Sequence, residues 1–314
     1  MIGPACVNNH NFLDKSLSIW DTFSHTRSEK ILDRSNADVA CDSYNLWETD
    51  VALAKALGIQ FYRQSRSNKQ PYLDPSSIFR RRGVRRTLEK HSIYAHPIFA
   101  KDGGWPPSIE QFVAKKSKKE GYKKSRLPAF TREEIEFIKG TYDFYGLNYY
   151  TARLASPIPP NMSVEMPGWL DGNLELGLVY KPDPKWKEGY AWLVSYPPGL
   201  RKQINWLVKQ YGDMEIRIFE NGYSTPDSVD VDSNRIDYLE DHLEQVLLSI
   251  HEDGHNVTAF TAWALMDNYE WSSGFKSRFG LAAVDFTDPK RKRTPRASFA
   301  FYAAVIASHS LDFY

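Results

Sequence analysis

Several features that would specialise a chain early are scarce here. Two cysteines in 314 residues, Cys6 and Cys41, lie in different segments and cannot build a disulfide framework or a four-ligand zinc site without many partners. An excess of one charge is also lacking, since 40 Lys and Arg stand against 39 Asp and Glu for a formal +1. That balance sets up no global field to draw in nucleic acid or anionic lipid. No stretch approaches the roughly 20 apolar residues of a membrane span. The opening MIGPACVNNHNFLDKS has neither the basic nor the apolar region of a secretory signal, so no signal peptide is expected there and the compartment stays unread. No Gly-rich phosphate loop, HExxH or Ser-His-Asp pattern stands out, and nothing asks for a metal or cofactor.

Basic residues do cluster locally. Arg80, Arg81, Arg82, Arg85 and Arg86 crowd one segment, and Lys115, Lys116, Lys118, Lys119, Lys123 and Lys124 another. Neither block is interleaved with an aromatic platform, so both read as solvated faces or loops and no nucleic-acid partner is expected. Asn161-Met-Ser and Asn256-Val-Thr are glycosylation sequons, which matter only in a secreted protein. The second falls in an apparent strand and is expected to be silent.

What is present is aromatic and placed beside carboxylates and amides: DFYGLNYY (143–150), IFENGY (218–223) and WALMDNYEW (263–271). Sugar rings offer apolar C–H faces for stacking and hydroxyls for carboxylate and amide hydrogen bonds, so a sugar pocket mixes these residue types. An aromatic core is the competing reading. From about residue 198 onward, helix and strand alternate. Leu200, Ile204, Leu207 and Tyr211 recur at helical spacing after Pro198 and stop at Gly212, and 215–219 then alternates like a strand. Ile236, Leu239, Leu243, Val246 and Ile250 repeat the helical spacing, and 257–265 reads as a buried strand. Such alternation implies a parallel sheet with right-handed crossovers, with function at the strands' C-terminal ends. Glu220 follows the first of these strands and Glu270 comes shortly after the second, while Asn148 and Tyr150 end an apparent strand at 143–150. On local signal alone, Glu220-Asn221-Gly222 also reads as a plain Asn-Gly turn with a solvated Glu.

Taken together, YDFYGLNYYT (142–151), IFENGYS (218–224) and TAWALMDNYEWSSGFKSRFGLAAVDF (261–286) resemble the family 1 glycoside hydrolases, the β-glucosidase, lactase and myrosinase group, in its animal form. SIWDTFSH (18–25), DVACDSYNLWETDVALAKALGIQFYR (38–63), HPIF (96–99) and SRLPAFT (125–131) extend the likeness through most of the chain. The resemblance implies an α/β fold, the (β/α)8 TIM-type barrel, as a single domain over 1–314. It implies retaining hydrolysis of β-O-glycosidic bonds in a β-glucoside or related small glycoside, with no cofactor. Glu220 would be the nucleophile, Arg63 and Tyr150 would hold it ionised and oriented, and Asn148, Trp263, Glu270 and Trp271 would contact the sugar. Animal members of the family are often secreted or lumenal. Oligomeric state is not read.

A retaining glycosidase needs a second carboxyl about 5 Å from the first, to protonate the leaving group and then activate water. The family places it in a T-x-N-E-P motif, and no Asn-Glu-Pro occurs in this sequence. Glu89, Glu110 and Glu120 lie in poorly matching or surface-like stretches and are not good substitutes. The likeness stops after Arg63 and resumes near His96, so that roughly 150 residues of the family's own sequence are skipped, judged against full barrels with insertions. PACVNNHNF stands where the family has a Gln-x-Glu-Gly-Ala stretch. The expected barrel is therefore incomplete, with several central strands missing, the first strand missing or replaced, and a junction at about 64–95. Three functions remain open: a hydrolase without its acid/base, a catalytically inactive carbohydrate- or partner-binding pseudoenzyme, and a non-functional fragment.

Overall fold

The computed structural model describes residues 18–62, 77–78, 93–158, 178–226 and 232–312. Along them run helices α1 (Ile19–Thr26), α2 (Trp47–Leu57), α3 (His96–Phe99), α4 (Pro107–Lys119), α5 (Arg132–Ile138), α6 (Pro198–Tyr211), α7 (Ser233–His251) and α8 (Ala297–Ser308). The strands are β1 (Ser77–Ile78), β2 (Tyr145–Asn148), β3 (Ala152–Pro157), β4 (Leu178–Lys181), β5 (Lys187–Glu188), β6 (Val194–Ser195), β7 (Ile216–Asn221), β8 (Thr225–Pro226), β9 (Val257–Ala262), β10 (Ser277–Arg278), β11 (Ala282–Val284) and β12 (Arg293–Pro295).

The centre is a parallel sheet in the order β2-β7-β9, with Leu147 opposite Ile218 and Ile218 opposite Phe260. Parallel neighbours need long crossovers, and α6 and α7 supply them. Pro198 opens α6, where a missing N–H costs nothing, and Gly212 closes it at φ 92. Its face of Leu200, Ile204 and Leu207 packs with Val246 of α7 on Leu147, Ile216 and Ile218. That layer matches the helical spacings in the sequence.

Strand ends differ from the expected ones. β7 runs two residues further, through Glu220 and Asn221. β9 stops at Ala262, because the next residues turn to pair elsewhere: Ala264 N–H donates to Phe279 O, and the N–H groups of Leu281 and Ala282 donate to the carbonyls of Ala264 and Leu265. β2 stops at Asn148, beside a register shift against β7. Asn256 is exposed just before β9, its carbonyl receiving Ile216 N–H, rather than inside the strand as its sequence setting suggested.

The opposite face of the sheet is open. Arg217 and Phe219 are half-buried and Thr258 is exposed, and with Phe61, Tyr62, Glu215 and Ala259 they line a cleft of about 570 Å³. The Arg217 guanidinium lies 4.1 Å from the Phe144 ring centroid. In a closed barrel such inward side chains fill the interior. Among the described residues this sheet has three strands and does not close, as expected of an incomplete barrel.

A second core joins the two ends of the chain. Leu57 of α2 packs with Leu239, Leu265, Leu281, Phe299 and Tyr302, and Arg293 reaches Asp50 at 2.9 Å and Cys41 O at 2.6 Å. Cys41 is buried with its Sγ 3.0 Å from Asp267 O, while Cys6 lies outside the described residues. Of the expected junction, β1 is described and pairs in parallel with Ala152–Arg153 of β3. The arginine cluster at 80–86 and Asn161 fall outside the described residues. Of the lysine cluster, Lys115, Lys118, Lys119, Lys123 and Lys124 are exposed, while Lys116 is half-buried and lies 3.7 Å from Glu120; Lys116, Lys118 and Lys119 stand in the last turn of α4, where cations complement the helix dipole.

Candidate active site

Glu220 stands at the C-terminal end of β7 with 7% of its surface exposed. Its carbonyl receives Tyr149 N–H at 2.9 Å, and its Oε2 receives the Tyr150 hydroxyl at 2.9 Å. A donor aimed at a carboxylate oxygen favours the ionised form. Asn148, half-buried, is its register partner on β2.

The two residues after Glu220 explain the local sequence. Asn221 is fully buried, and its Nδ2 donates to Tyr149 O at 2.8 Å and to the Tyr238 hydroxyl at 3.2 Å, tying β7 to the chain beyond β2. A Cβ on Gly222 would lie 1.9 Å from Trp263 O, so only glycine lets the ends of β7 and β9 come this close. Trp263 N–H donates to Asn221 O across that contact at 2.8 Å. The Asn-Gly turn reading is therefore corrected: Asn221 is strand, and Gly222 is a close approach rather than a hairpin corner.

Glu270 lies on the loop after β9, 8% exposed. Its Oε1 accepts from Trp263 Nε1 at 2.9 Å and Asn268 Nδ2 at 2.8 Å. Burial pushes its carboxyl up to about 8 against the lowering pull of those two donors, and the charges of Glu220 and Asp267 add to the rise. The two carboxyls thus sit within electrostatic reach of each other.

The loop that carries Glu270 is fixed from beneath. Asp267, 1% exposed, takes a two-pronged contact from Arg296 at 2.9 and 2.7 Å and the Gly280 N–H at 2.9 Å. A Cβ on Gly274 would meet Asp33 Oδ1 at 1.9 Å, and Asp33 Oδ2 receives Phe275 N–H at 2.7 Å. Trp271 is half-buried, its ring 4.9 Å from that of Trp20 on α1.

Tyr150 and Trp263 share one buried cluster with Tyr223, Tyr238 and Phe279. The structure therefore gathers Glu220, Tyr150, Trp263 and Glu270, with Asn148 at the strand end beside them and Trp271 against α1. Arg63 lies outside the described residues, as does Glu89. Glu120 is a surface residue paired with Arg126 at 2.9 Å, and Glu110 sits on α4, whose apolar side packs in a separate cluster. Sequence reasoning missed Asp267, Arg296 and Tyr238. It also missed Trp192, which is 38% exposed with its ring 5.8 Å from Tyr150, although an aromatic inside EGYAWLVSY was a visible signal.

Comparison with known proteins gives the same frame. The sequence model of Glycosyl hydrolase family 1 matches residues 11–70 and 73–311. Myrosinase 1 of Brevicoryne brassicae is 37% identical over 218 residues, 68% of this chain and 45% of that protein. Cytosolic beta-glucosidase of Homo sapiens is 36% identical over 241 residues, 76% of this chain and 50% of that protein. The chain thus spans about half the length of these curated relatives. Among solved structures, an aphid myrosinase aligns with a TM-score of 0.85 at 24% identity, over 97% of this chain and 96% of that chain. A glucose-bound β-glucosidase from the fungus Humicola insolens aligns with a TM-score of 0.78 at 21% identity, over 98% and 96%. Both are (β/α)8 barrel enzymes, and at these identities they speak for the fold alone.

Proposed function

We propose a function from one premise: the chain belongs to glycosyl hydrolase family 1. It acts on a β-glycoside by the retaining route, with Glu220 as nucleophile. The observation that carries this reading is the buried Glu220 carboxylate at the end of β7, held by the Tyr150 hydroxyl at 2.9 Å and within electrostatic reach of Glu270.

The chemistry follows from those positions. An ionised Glu220 oxygen attacks the anomeric carbon, the bond to the leaving group breaks with its electron pair, and a glycosyl ester forms. Glu270, neutral near pH 7, donates to a sugar hydroxyl oxygen through the carboxyl oxygen not taken up by Trp263 and Asn268. Trp263 and Trp271 offer apolar surface to the ring. Water then attacks the anomeric carbon, its proton passing to solvent, and the bond to Glu220 breaks with its electron pair to restore the carboxylate.

The departing group receives no proton from an Asn-Glu-Pro glutamate, because the sequence has none. General acid assistance contributes about 10²–10⁴ in rate. The substrates this site favours are therefore glycosides whose leaving group departs unprotonated, thioglucosides among them. The same missing motif favours a second reading, a carbohydrate-binding pseudoenzyme that retains the Trp263, Glu270, Trp271 surface.

Intact-mass spectrometry after exposure to a 2-deoxy-2-fluoro glucoside with a dinitrophenyl leaving group separates the two, because this probe needs no acid and traps the ester. One added fluoroglucosyl mass on the parent, absent from Glu220→Gln, is the expected result. A folded parent that stays unlabelled yet quenches its tryptophan fluorescence on titration with glucose overturns the hydrolase in favour of the binding protein. Unlabelled protein that is not folded overturns both and leaves a fragment.

A further inference from the structure

Tyr150 reaches Glu220 from a stretch that no regular element holds, since β2 ends two residues earlier at Asn148. Its hydroxyl nevertheless arrives 2.9 Å from the carboxylate. Such a bond requires the Tyr150 backbone to be fixed to within a few tenths of an ångström.

The restraint comes from helix α7, on the far side of the site. Tyr238, 2% exposed, donates its hydroxyl to Tyr150 O at 2.6 Å and accepts Asn221 Nδ2 at 3.2 Å. Asn221 directly follows Glu220, so one phenol oxygen touches both the backbone that carries Tyr150 and the side chain next to the nucleophile. The Tyr238 ring is itself clamped. It stacks on His242 with centroids 3.9 Å apart, and His242 Nδ1 bonds to Tyr238 O at 2.6 Å. His242 is fully buried, and that burial holds its imidazole neutral, with its pKa pushed down to about 3.

We infer that Tyr238 is a positioning residue for the nucleophile, setting the Tyr150–Glu220 hydrogen bond from α7 without contacting the reacting atoms itself. The inference rests on the reading of Glu220 as nucleophile given above. Loss of the Tyr238 hydroxyl removes its bond to Tyr150 O and leaves Asn221 Nδ2 with Tyr149 O as its remaining named acceptor, and Tyr150 then donates to the carboxylate less well. A weaker donor disfavours the ionised form that attacks.

The test follows the rate of fluoroglucosyl labelling against pH for the parent, Tyr238→Phe, Tyr149→Phe and Tyr150→Phe, with the melting temperature of each. Tyr149→Phe is the structural control, because it removes another buried hydroxyl, bonded to Tyr196 O at 2.8 Å, on the neighbouring residue. Tyr238→Phe is expected to slow labelling roughly tenfold and to move its acid-side midpoint up by about half a pH unit. Tyr149→Phe lowers the melting temperature similarly and leaves the midpoint in place. In the Tyr150→Phe background, the Tyr238→Phe effect on labelling disappears.

A midpoint that stays put in Tyr238→Phe, or moves equally in Tyr149→Phe, overturns the inference and leaves the nucleophile standing. A folded parent that never labels overturns the nucleophile reading and the inference with it. Should Tyr238→Phe fail to fold, ring-fluorinated tyrosine at position 238 keeps the shape and hydroxyl while changing donor strength. An unmoved midpoint in that protein is equally fatal.

Discussion

On the helix side of the β2-β7-β9 sheet, Leu147, Ile216 and Ile218 are at most 1% exposed, whereas on the other side Arg217, Phe219 and Ala259 keep part of their surface and Thr258 is exposed. The difference lies in where the covering comes from. A parallel strand and its crossover helix are neighbours in sequence, so α6 and α7 seal the outer face within one stretch of chain. The inward face of a barrel is sealed by strands across the axis, which come from distant parts of the sequence. A partial barrel can therefore complete its outer core and leave its inner one open. The candidate site stands at the strand ends, where Asn221 and Tyr150 are tied to α7 through Tyr238 and the Glu270 loop to Arg296 through Asp267.

Substitutions sharpen this contrast most directly. Ile218→Ala is expected to cost about 2–5 kcal/mol in denaturant unfolding, the range for a truncated buried aliphatic. Thr258→Ala on the open face stays within about 0.5 kcal/mol. Equal losses would mean that the inward face is packed after all.

The next effects are pH-dependent and opposite in sign. His242, on the sealed side, is held neutral down to about 3 instead of its ordinary 6.5. Its contribution to stability is present above pH 6.5 and falls as pH drops toward 3, by about 1.4 kcal/mol per unit. His242→Gln should flatten the acid fall of the melting temperature. Glu270, pushed to about 8 from 4.5, contributes stability that is full below pH 4.5 and lost as pH rises through 8. Glu270→Gln should remove that alkaline-going loss, and a melting temperature equally pH-dependent in the variant would show that the carboxyl is solvated.

Arg217→Ala on the open face should also matter little. Its partner Glu215 is 2.7 Å away and both side chains are more than a quarter exposed, a setting in which an ion pair is worth about 0–1 kcal/mol. A larger loss would mark the open cleft as a structural core.

Much of this was legible in the sequence, and what was missed has a physical pattern. The helix ending at Gly212 and the spacing through Val246 announced themselves because apolar periodicity is local. Glu220 and Glu270 were found because strand-end placement and motif resemblance agree. The Asp267–Arg296 clamp spans 29 residues, and the Asp232 bond to Ser298 N–H spans 66, so no local window contains both partners. Arg235, 1% exposed, reads from sequence as an ordinary surface charge on a helix. Inside the fold it bonds to Asp232 and to the carbonyls of Tyr223 and Arg278. Arg63, expected beside the nucleophile, remains a proposal carried by resemblance.

The Arg296 contact to Asp267 also sets an order of events during synthesis. A ribosome adds Glu220, then Trp263, then Glu270, yet the carboxylate beneath the Glu270 loop has only the Arg278 guanidinium, 3.6 Å away in the finished fold, to close on until residue 296 has emerged. Until then Asp267 lacks the two-pronged Arg296 contact that closes both of its oxygens. The site is thus fastened late, from its C-terminal side, and a nascent chain stalled just past Trp271 would carry every proposed sugar contact in sequence and hold the Glu270 loop in place with none of its clamp.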